Sequence, residues 1–506
     1  MKPMKRSCEN SENADARRLR KRPLGNYRYV RLRWRVLFTA VDFIGTWLCR
    51  FVQVISSAGK PVRRPSKAVE KPRHSNGDGL GRPLYSASGY PRRILLIQLD
   101  HFGDAVITTA MLPPLRSRYP EASIEVLASE ANREVFEAAP EVDCIHVSTV
   151  NRFARRGLTP LAWIAATFRW GLRLRRRNFD LGIDVRGDFP AALILWLCGA
   201  RRRVGWAAGG GGFLLTDSPP YVFDRPEVDS RAALLAELGI EAEDLRPQFR
   251  PTEEARREIR RQLYDGLPRP SDADGSCTCQ SVEPPGIPAS WRTQLQYSPL
   301  AVLHIGSGTP AKRWPVEYWR QLAGRLVVEH AAQLVLVGGN DDCIVARKLL
   351  GGHPWPGVID WTGRLRIVEL AALLEEADVL VGADSGPAQL AAAVNTPAVV
   401  LFSGTNRPRQ WQPRGKEVTV LRHQLDCSPC HRERCPRPGH PCMRGLLPER
   451  VLAEIVRVLR RRNAVPRPPF DKPSDNGCHR RLAGASAGHG QDARDTEIHR
   501  TCVELP

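Results

Sequence analysis

The sequence predicts an α/β protein of two domains, each built on a parallel sheet, behind a basic N-terminal arm. Three observations predict it. Short apolar runs such as RILLIQL at 93–99 and DLGIDV at 180–185 alternate with helical segments, and that rhythm implies parallel strands joined by right-handed crossovers. The same rhythm resumes near residue 299, after a Pro-rich stretch at 265–298 without periodicity, which reads as an interdomain insertion. The chain has 506 residues. Setting aside the polar ends leaves enough for two domains.

Composition bounds the function classes. Hydrophobic residues make up 42% and charged residues 25%, the balance of an ordinary globular protein. No charge-free run of 18 apolar residues occurs, which excludes a polytopic membrane protein. The formal net charge is +21, yet residues 1–92 alone hold 21 Lys and Arg against 6 Asp and Glu. The basicity belongs to an arm, and the arm lacks the interleaved aromatics of a single-strand nucleic-acid reader. Nucleic acid is therefore not an expected partner. The Arg-rich start carries no cleavable secretory signal, and the sparse cysteines fit a reducing cytoplasm.

Along the chain, 1–33 is polar and Arg-rich. Residues 34–57 (WRVLFTAVDFIGTWLCRFVQVISS) place Thr39, Asp42, Thr46, Arg50, Gln53 and Ser57 on one narrow helical face and leave the rest apolar. Basic flanks and two tryptophans suit a helix lying in a membrane interface. The alternative is a helix docking its apolar face on the protein body. Residues 58–91 read as a linker, which completes an arm of 1–91. The first α/β domain is expected over 92–264, with strands at 93–99, 123–128, 144–147 and 180–185. Its helices are expected from Gly103 to about Arg118 and over 160–177. The second spans 299–463, with strands at 301–305, 334–337, 358–359, 379–381 and 398–402. Its helices are expected at 315–330, 367–377 and 387–394. Residues 464–506 read as a polar tail.

Three strand–turn–helix junctions carry candidate chemistry. In QLDHFGD (98–104), Asp104 stands at a helix start on the carboxyl edge of a sheet, where ligands bind. It is either a helix cap or a carboxylate placed to take a proton. In HIGSGTPAKRWP (304–315), Ser307, Gly308, Thr309 and Lys312 supply the N–H groups, hydroxyls and cation that a diphosphate needs, without Walker A spacing. A solvated basic turn is the alternative. In GADSGP (382–387), Ser385 and Gly386 open a helix and Asp384 sits at the tip. That is a capping turn or an anion site with a carboxylate for sugar hydroxyls. Trp314 and Trp411 read as core. Cys427, Cys430, Cys435 and Cys442 fall within 16 residues, as free thiols, a disulfide pair or ligands of a structural zinc or another metal, with a spacing that fits no standard ferredoxin iron–sulfur run.

Together, LDHFGDAVITTAMLPPLR, SGTPAKRWPVEYW and VGADSGPAQLAAAVNTPAVVLFSGT, in this order over about residues 92–462, resemble glycosyltransferase family 9, the ADP-heptose:lipopolysaccharide heptosyltransferases. The resemblance implies a GT-B architecture: two Rossmann-like domains facing a cleft, the first holding the acceptor and the second the nucleotide sugar. It implies an inverting transfer of heptose from an ADP-heptose donor to a lipopolysaccharide core or other lipid-linked glycan, at the cytoplasmic face of the membrane. It assigns Asp104 as general base, Lys312 to the diphosphate and Asp384 to the donor sugar. No divalent metal or other cofactor is implied for catalysis, and neither cleft loop carries a DxD pair. One departure stands out: the family's usual His after the D-[ST]-G segment is Gln389 here, which can donate a hydrogen bond to phosphate but carries no charge. The alternatives are a relative using another nucleotide sugar and an inactive sugar- or nucleotide-binding homologue.

Overall fold

The computed structural model describes residues 42–47, 90–148, 160–265 and 298–463. Most of the arm, nearly all of the insertion at 265–298 (266–297) and the tail at 464–506 lie outside the described residues. The first sheet contains β1 (Arg93–Gln98), β2 (Ser123–Ser129), β3 (Cys144–Ser148), β4 (Leu181–Asp184) and β5 (Arg202–Gly205) in the order β3-β2-β1-β4-β5. The second contains β6 (Leu300–His304), β7 (Gln333–Val337), β8 (Val358–Asp360), β9 (Val379–Ala383), β10 (Ala398–Phe402) and β11 (Val418–Arg422) in the order β11-β10-β9-β6-β7-β8. Every pairing is parallel.

The strands read as unbroken apolar runs because both sheet faces are covered. In β1, Ile94 and Leu96 enter one cluster with the helix Phe102–Thr109, while Leu95 and Ile97 enter another with the helices Pro160–Arg175 and Phe189–Leu197. The first cluster crosses the domain boundary, joining Ile107, Val228 and Ile259 to Val368 and Leu390. Ion pairs close the same interface. Arg256 makes a two-pronged contact with Glu375 (2.7 and 3.0 Å), and Arg414 meets Asp229 at 2.6 Å.

Three differences from the sequence reading have local causes. The helix expected from Gly103 to Arg118 is two helices, Phe102–Thr109 and Leu112–Arg118. Pro113 and Pro114 lack the N–H groups that would continue the first, so they serve the first turn of a new helix instead. Strands β5 and β11 were not anticipated: RRVG and VTVLR are short, and β11 is mostly half-buried. Trp314 is core, as expected, and its indole donates to Leu446 O at 2.9 Å.

Strand register is set by a repeated aspartate clasp. Asp143, Asp180 and Asp378 each precede a strand and donate their backbone N–H to the neighbouring strand, at Ile124 O, Arg93 O and Leu300 O. Each carboxylate then takes a backbone N–H from that neighbour: Ile124 at 2.7 Å, Arg92 and Arg93 at 2.8 and 3.1 Å, Leu300 at 2.8 Å. The Leu300 amide is buried, so losing its acceptor leaves an orphan donor. Asp378→Ala should therefore cost about 1–3 kcal/mol, read as a lower urea midpoint, and Asp378→Asn should recover most of it by keeping an oxygen. Equal midpoints for the parent and the Ala variant would show that the clasp does not hold the register.

Candidate active site

Strand order reverses between β1 and β4 in the first sheet and between β6 and β9 in the second. At such a switch point, the crossovers leave in opposite directions and open a crevice at the carboxyl edge. The loops that follow these four strands carry the site.

After β1 the chain is tied down from β2. Asn132 donates to Gln98 O and Asp100 O, both at 3.0 Å, and Thr108 Oγ1 donates to the Gln98 amide oxygen at 3.1 Å. His101 then enters the helix Phe102–Thr109 in extended conformation, without a side-chain cap, and Asp104 occupies the first turn half-buried. Burial, then the neighbouring Asp100 carboxylate, push the Asp104 carboxyl up to about 6, against the pull of Arg186, Arg231 and His101.

The loop after β4 supplies groups that sequence reading missed. Arg186 pairs with Asp100 and reaches Asp188 at 3.4 Å. Asp184, fully buried, accepts the amides of Arg186 and Gly187 at 3.0 and 2.8 Å through one oxygen. Burial, with Asp188 and Asp100 adding to it, raises its carboxyl to about 8, so it is protonated at neutral pH. DVRGD (184–188) spans the end of the predicted strand 180–185 and the start of its loop, at a carboxyl edge.

In the second domain, Lys312 closes a turn at Pro310–Lys312 and donates to Asp384 O at 2.9 Å and Asp384 Oδ2 at 2.8 Å. Asn406, also missed, donates to the same carboxylate oxygen at 2.8 Å. Ser307 Oγ donates to Thr309 O at 2.6 Å, bending the loop, and the Cα of Gly308 faces open space. Ser385 begins the helix Gly386–Ala393 without a side-chain cap, and its hydroxyl lies 3.2 Å from His304 Nδ1. Burial lowers His304 to about 4, so the ring is neutral. Gln389 is near this loop, and one N–H of its side-chain amide donates to Trp411 O at 2.9 Å, which leaves the second N–H of that nitrogen available.

The two halves touch. A Cβ on Gly386 would lie 2.2 Å from Phe102 Cζ, and a Cβ on Gly103 would lie 2.9 Å from Gly386 Cα. The helix that carries Asp104 and the helix that follows Asp384 start against each other.

The family model described as Glycosyltransferase family 9 (heptosyltransferase) matches residues 167–440, more than half of the chain. The chain belongs to glycosyltransferase family 9. It is a glycosyltransferase of GT-B fold. Among relatives, it is 26% identical over 378 residues to lipopolysaccharide heptosyltransferase 2 of Escherichia coli K12, covering 72% of this chain and 98% of that one. The fold matches E. coli ADP-heptose lps heptosyltransferase II with a TM-score of 0.55 at 22% identity, covering 73% and 99%. It also matches E. coli heptosyltransferase WaaC with ADP, with a TM-score of 0.52 at 18% identity, covering 72% and 99%.

The four clustered cysteines of this glycosyltransferase are free and line one small cavity behind the Lys312 loop, with His440 lying 3.0 Å from Ala311 O. A tetrahedral thiolate zinc site holds its sulfurs about 4 Å apart. Among the described residues, the one group of three metal-ligating types gathered that closely is Glu125, Cys144 and His146. That group lies at the amino edge of β2 and β3, where Glu125 is already bound by His146 at 2.7 Å and Arg177 at 2.9 Å.

The cleft contact generates a prediction. Gly386→Ala must displace the Phe102 ring, and a shift of about 1 Å between base and donor costs on the order of 10²-fold in transfer. Gly386→Ala with Phe102→Ala should recover part of it at an unchanged melting temperature. Full activity in Gly386→Ala would mean that the loops do not meet in the working enzyme.

Proposed function

We propose that this enzyme transfers heptose from ADP-heptose to a lipopolysaccharide core or other lipid-linked glycan, with inversion, working as a peripheral protein at the cytoplasmic leaflet. The observation that carries the reading is the direct apposition of the Asp104 helix and the Asp384–Gly386 turn, with Lys312 pinned beside them. The heptosyltransferase relatives support the choice of sugar and acceptor class.

In this reading, Asp104 accepts the proton of the acceptor hydroxyl. The hydroxyl oxygen forms its bond to the anomeric carbon from the face opposite the diphosphate. The bond from that carbon to the diphosphate oxygen breaks, and its electron pair leaves with ADP. A carboxyl raised to about 6 remains ionised at neutral pH and is a stronger base than an ordinary aspartate. The charge on departing ADP is met by Lys312 and the N-terminal end of the helix Gly386–Ala393, with Ser307, Gly308 and Thr309 lining the diphosphate path. Asp384 holds Lys312 in place before the donor arrives and offers its carboxylate to the sugar hydroxyls. This route calls for no divalent metal.

Two measurements test it. Asp104→Asn should lower turnover by about 10²–10⁴-fold with donor affinity retained, followed as ADP released in the presence of acceptor. Unchanged turnover would reduce Asp104 to a helix-start residue. Lys312→Ala should weaken ADP binding by about 1.5–3 kcal/mol in a calorimetric titration. Equal affinity would move the diphosphate site elsewhere.

A further inference from the structure

The helices Pro160–Arg175 and Phe189–Leu197 cover the face of the first sheet that turns away from the second domain. Their inner sides are apolar, as packing requires. Their outer sides are apolar as well. Ile164, Phe168 and Leu172, spaced four apart, form a stripe 45%, 45% and 57% exposed, and Trp196 is 50% exposed.

Residues 42–47 join this surface. Asp42 Oδ1 accepts the Gly211 amide at 2.7 Å, and a Cβ on Gly45 would lie 2.4 Å from the Phe213 ring. The turn Gly212–Leu214 packs in turn on Phe189–Leu197. This short stretch therefore docks by its polar edge, and Phe43, Ile44 and Trp47 point outward, at least 56% exposed. Of the two sequence-based alternatives, docking by the apolar face does not hold for 42–47. Seven of the twelve exposed large hydrophobic residues among those described lie on these three elements, which makes them a surface rather than scatter.

Charge selects the occupant. The helix Pro160–Arg175 has no acidic residue, and Arg169, Arg173, Arg175 and Arg176 are exposed along and just beyond it. An apolar centre with an arginine rim suits an anionic bilayer, where each cation near the surface adds about 1 kcal/mol. A second copy related by a two-fold axis would set this rim against itself. Geometry agrees. A crossover helix between parallel strands runs antiparallel to them, so the Ile164 end lies at the carboxyl edge, the edge that bears Asp104. Residues 42–47 meet the chain just after β5, at that same edge.

We propose that this face seats the first domain on an anionic lipid bilayer and delivers a lipid-linked acceptor sideways to Asp104. The delivery step rests on the lipid-linked acceptor proposed above; the seating does not. The test uses the full chain and its Phe168→Gln, Leu172→Gln double variant, which changes exposed positions to good helix formers. Flotation is measured with vesicles of phosphatidylcholine and with vesicles containing phosphatidylglycerol, at low and high salt. Sugar transfer to a water-soluble, deacylated acceptor is followed in the same preparations. The expected result is flotation of the parent with anionic vesicles, weakened by salt, with partitioning about tenfold lower or more in the variant and soluble-acceptor transfer unchanged. A parent that stays soluble at low salt, or a variant that floats as well as the parent, overturns the proposal. A parent oligomer that the variant dissociates, without flotation of either, assigns the face to self-association instead. Absence of soluble-acceptor transfer counts against the heptosyl reading and leaves the flotation result standing.

Discussion

Two backbones meet in the cleft at a distance that side chains would forbid. Gly103 lies in the first turn of the helix that carries Asp104, Gly386 begins the helix that follows Asp384, and the Phe102 ring lies on Gly386. Each glycine stands at the carboxyl edge of a parallel sheet, beside the switch point of its strand order. The sheets bring the edges together, the shared apolar cluster and the arginine–carboxylate pairs hold the domains, and the glycines let the reactive ends approach. Reaction geometry in this enzyme is thus a consequence of domain packing.

The electrostatics follow from the same contact. Burial, and carboxylates crowded at the ends of β1 and β4, raise Asp104 and Asp184. Arg186, Arg231 and His101 oppose the rise at Asp104 and hold its carboxyl at about 6. Across the cleft, Lys312 is paired with Asp384 and Asn406 binds the same carboxylate oxygen, so the cation is held at the tip of the turn.

Much of this was legible in the sequence, for a physical reason. Asp104, Lys312 and Asp384 each follow an apolar strand within a few residues, so local pattern alone places them on a sheet edge. Asp184 and Arg186 obey the same rule, yet nothing local distinguishes them from any loop after a strand. Their role depends on β4 lying beside β1, a fact of strand order. Asn406 likewise acquires meaning from Asp384, a partner 22 residues away. Gln389 illustrates the reverse. Its position in the motif was readable, but the carbonyl that takes one of its amide N–H groups belongs to Trp411, 22 residues on and beyond β10. The close spacing of the cysteines was readable, and the folded loop gathers all four thiols around one small cavity.

The pH dependence of kcat/KM for sugar transfer tests the central claim most directly, because it reports ionisation of the free enzyme's base. A base raised to about 6 is ionised above that pH and protonated below it. The account predicts a rate that is level near neutrality and falls tenfold per pH unit below about 6. Activity that persists down to pH 4, as an ordinary aspartate would allow, would contradict a base tuned by burial and by Asp100.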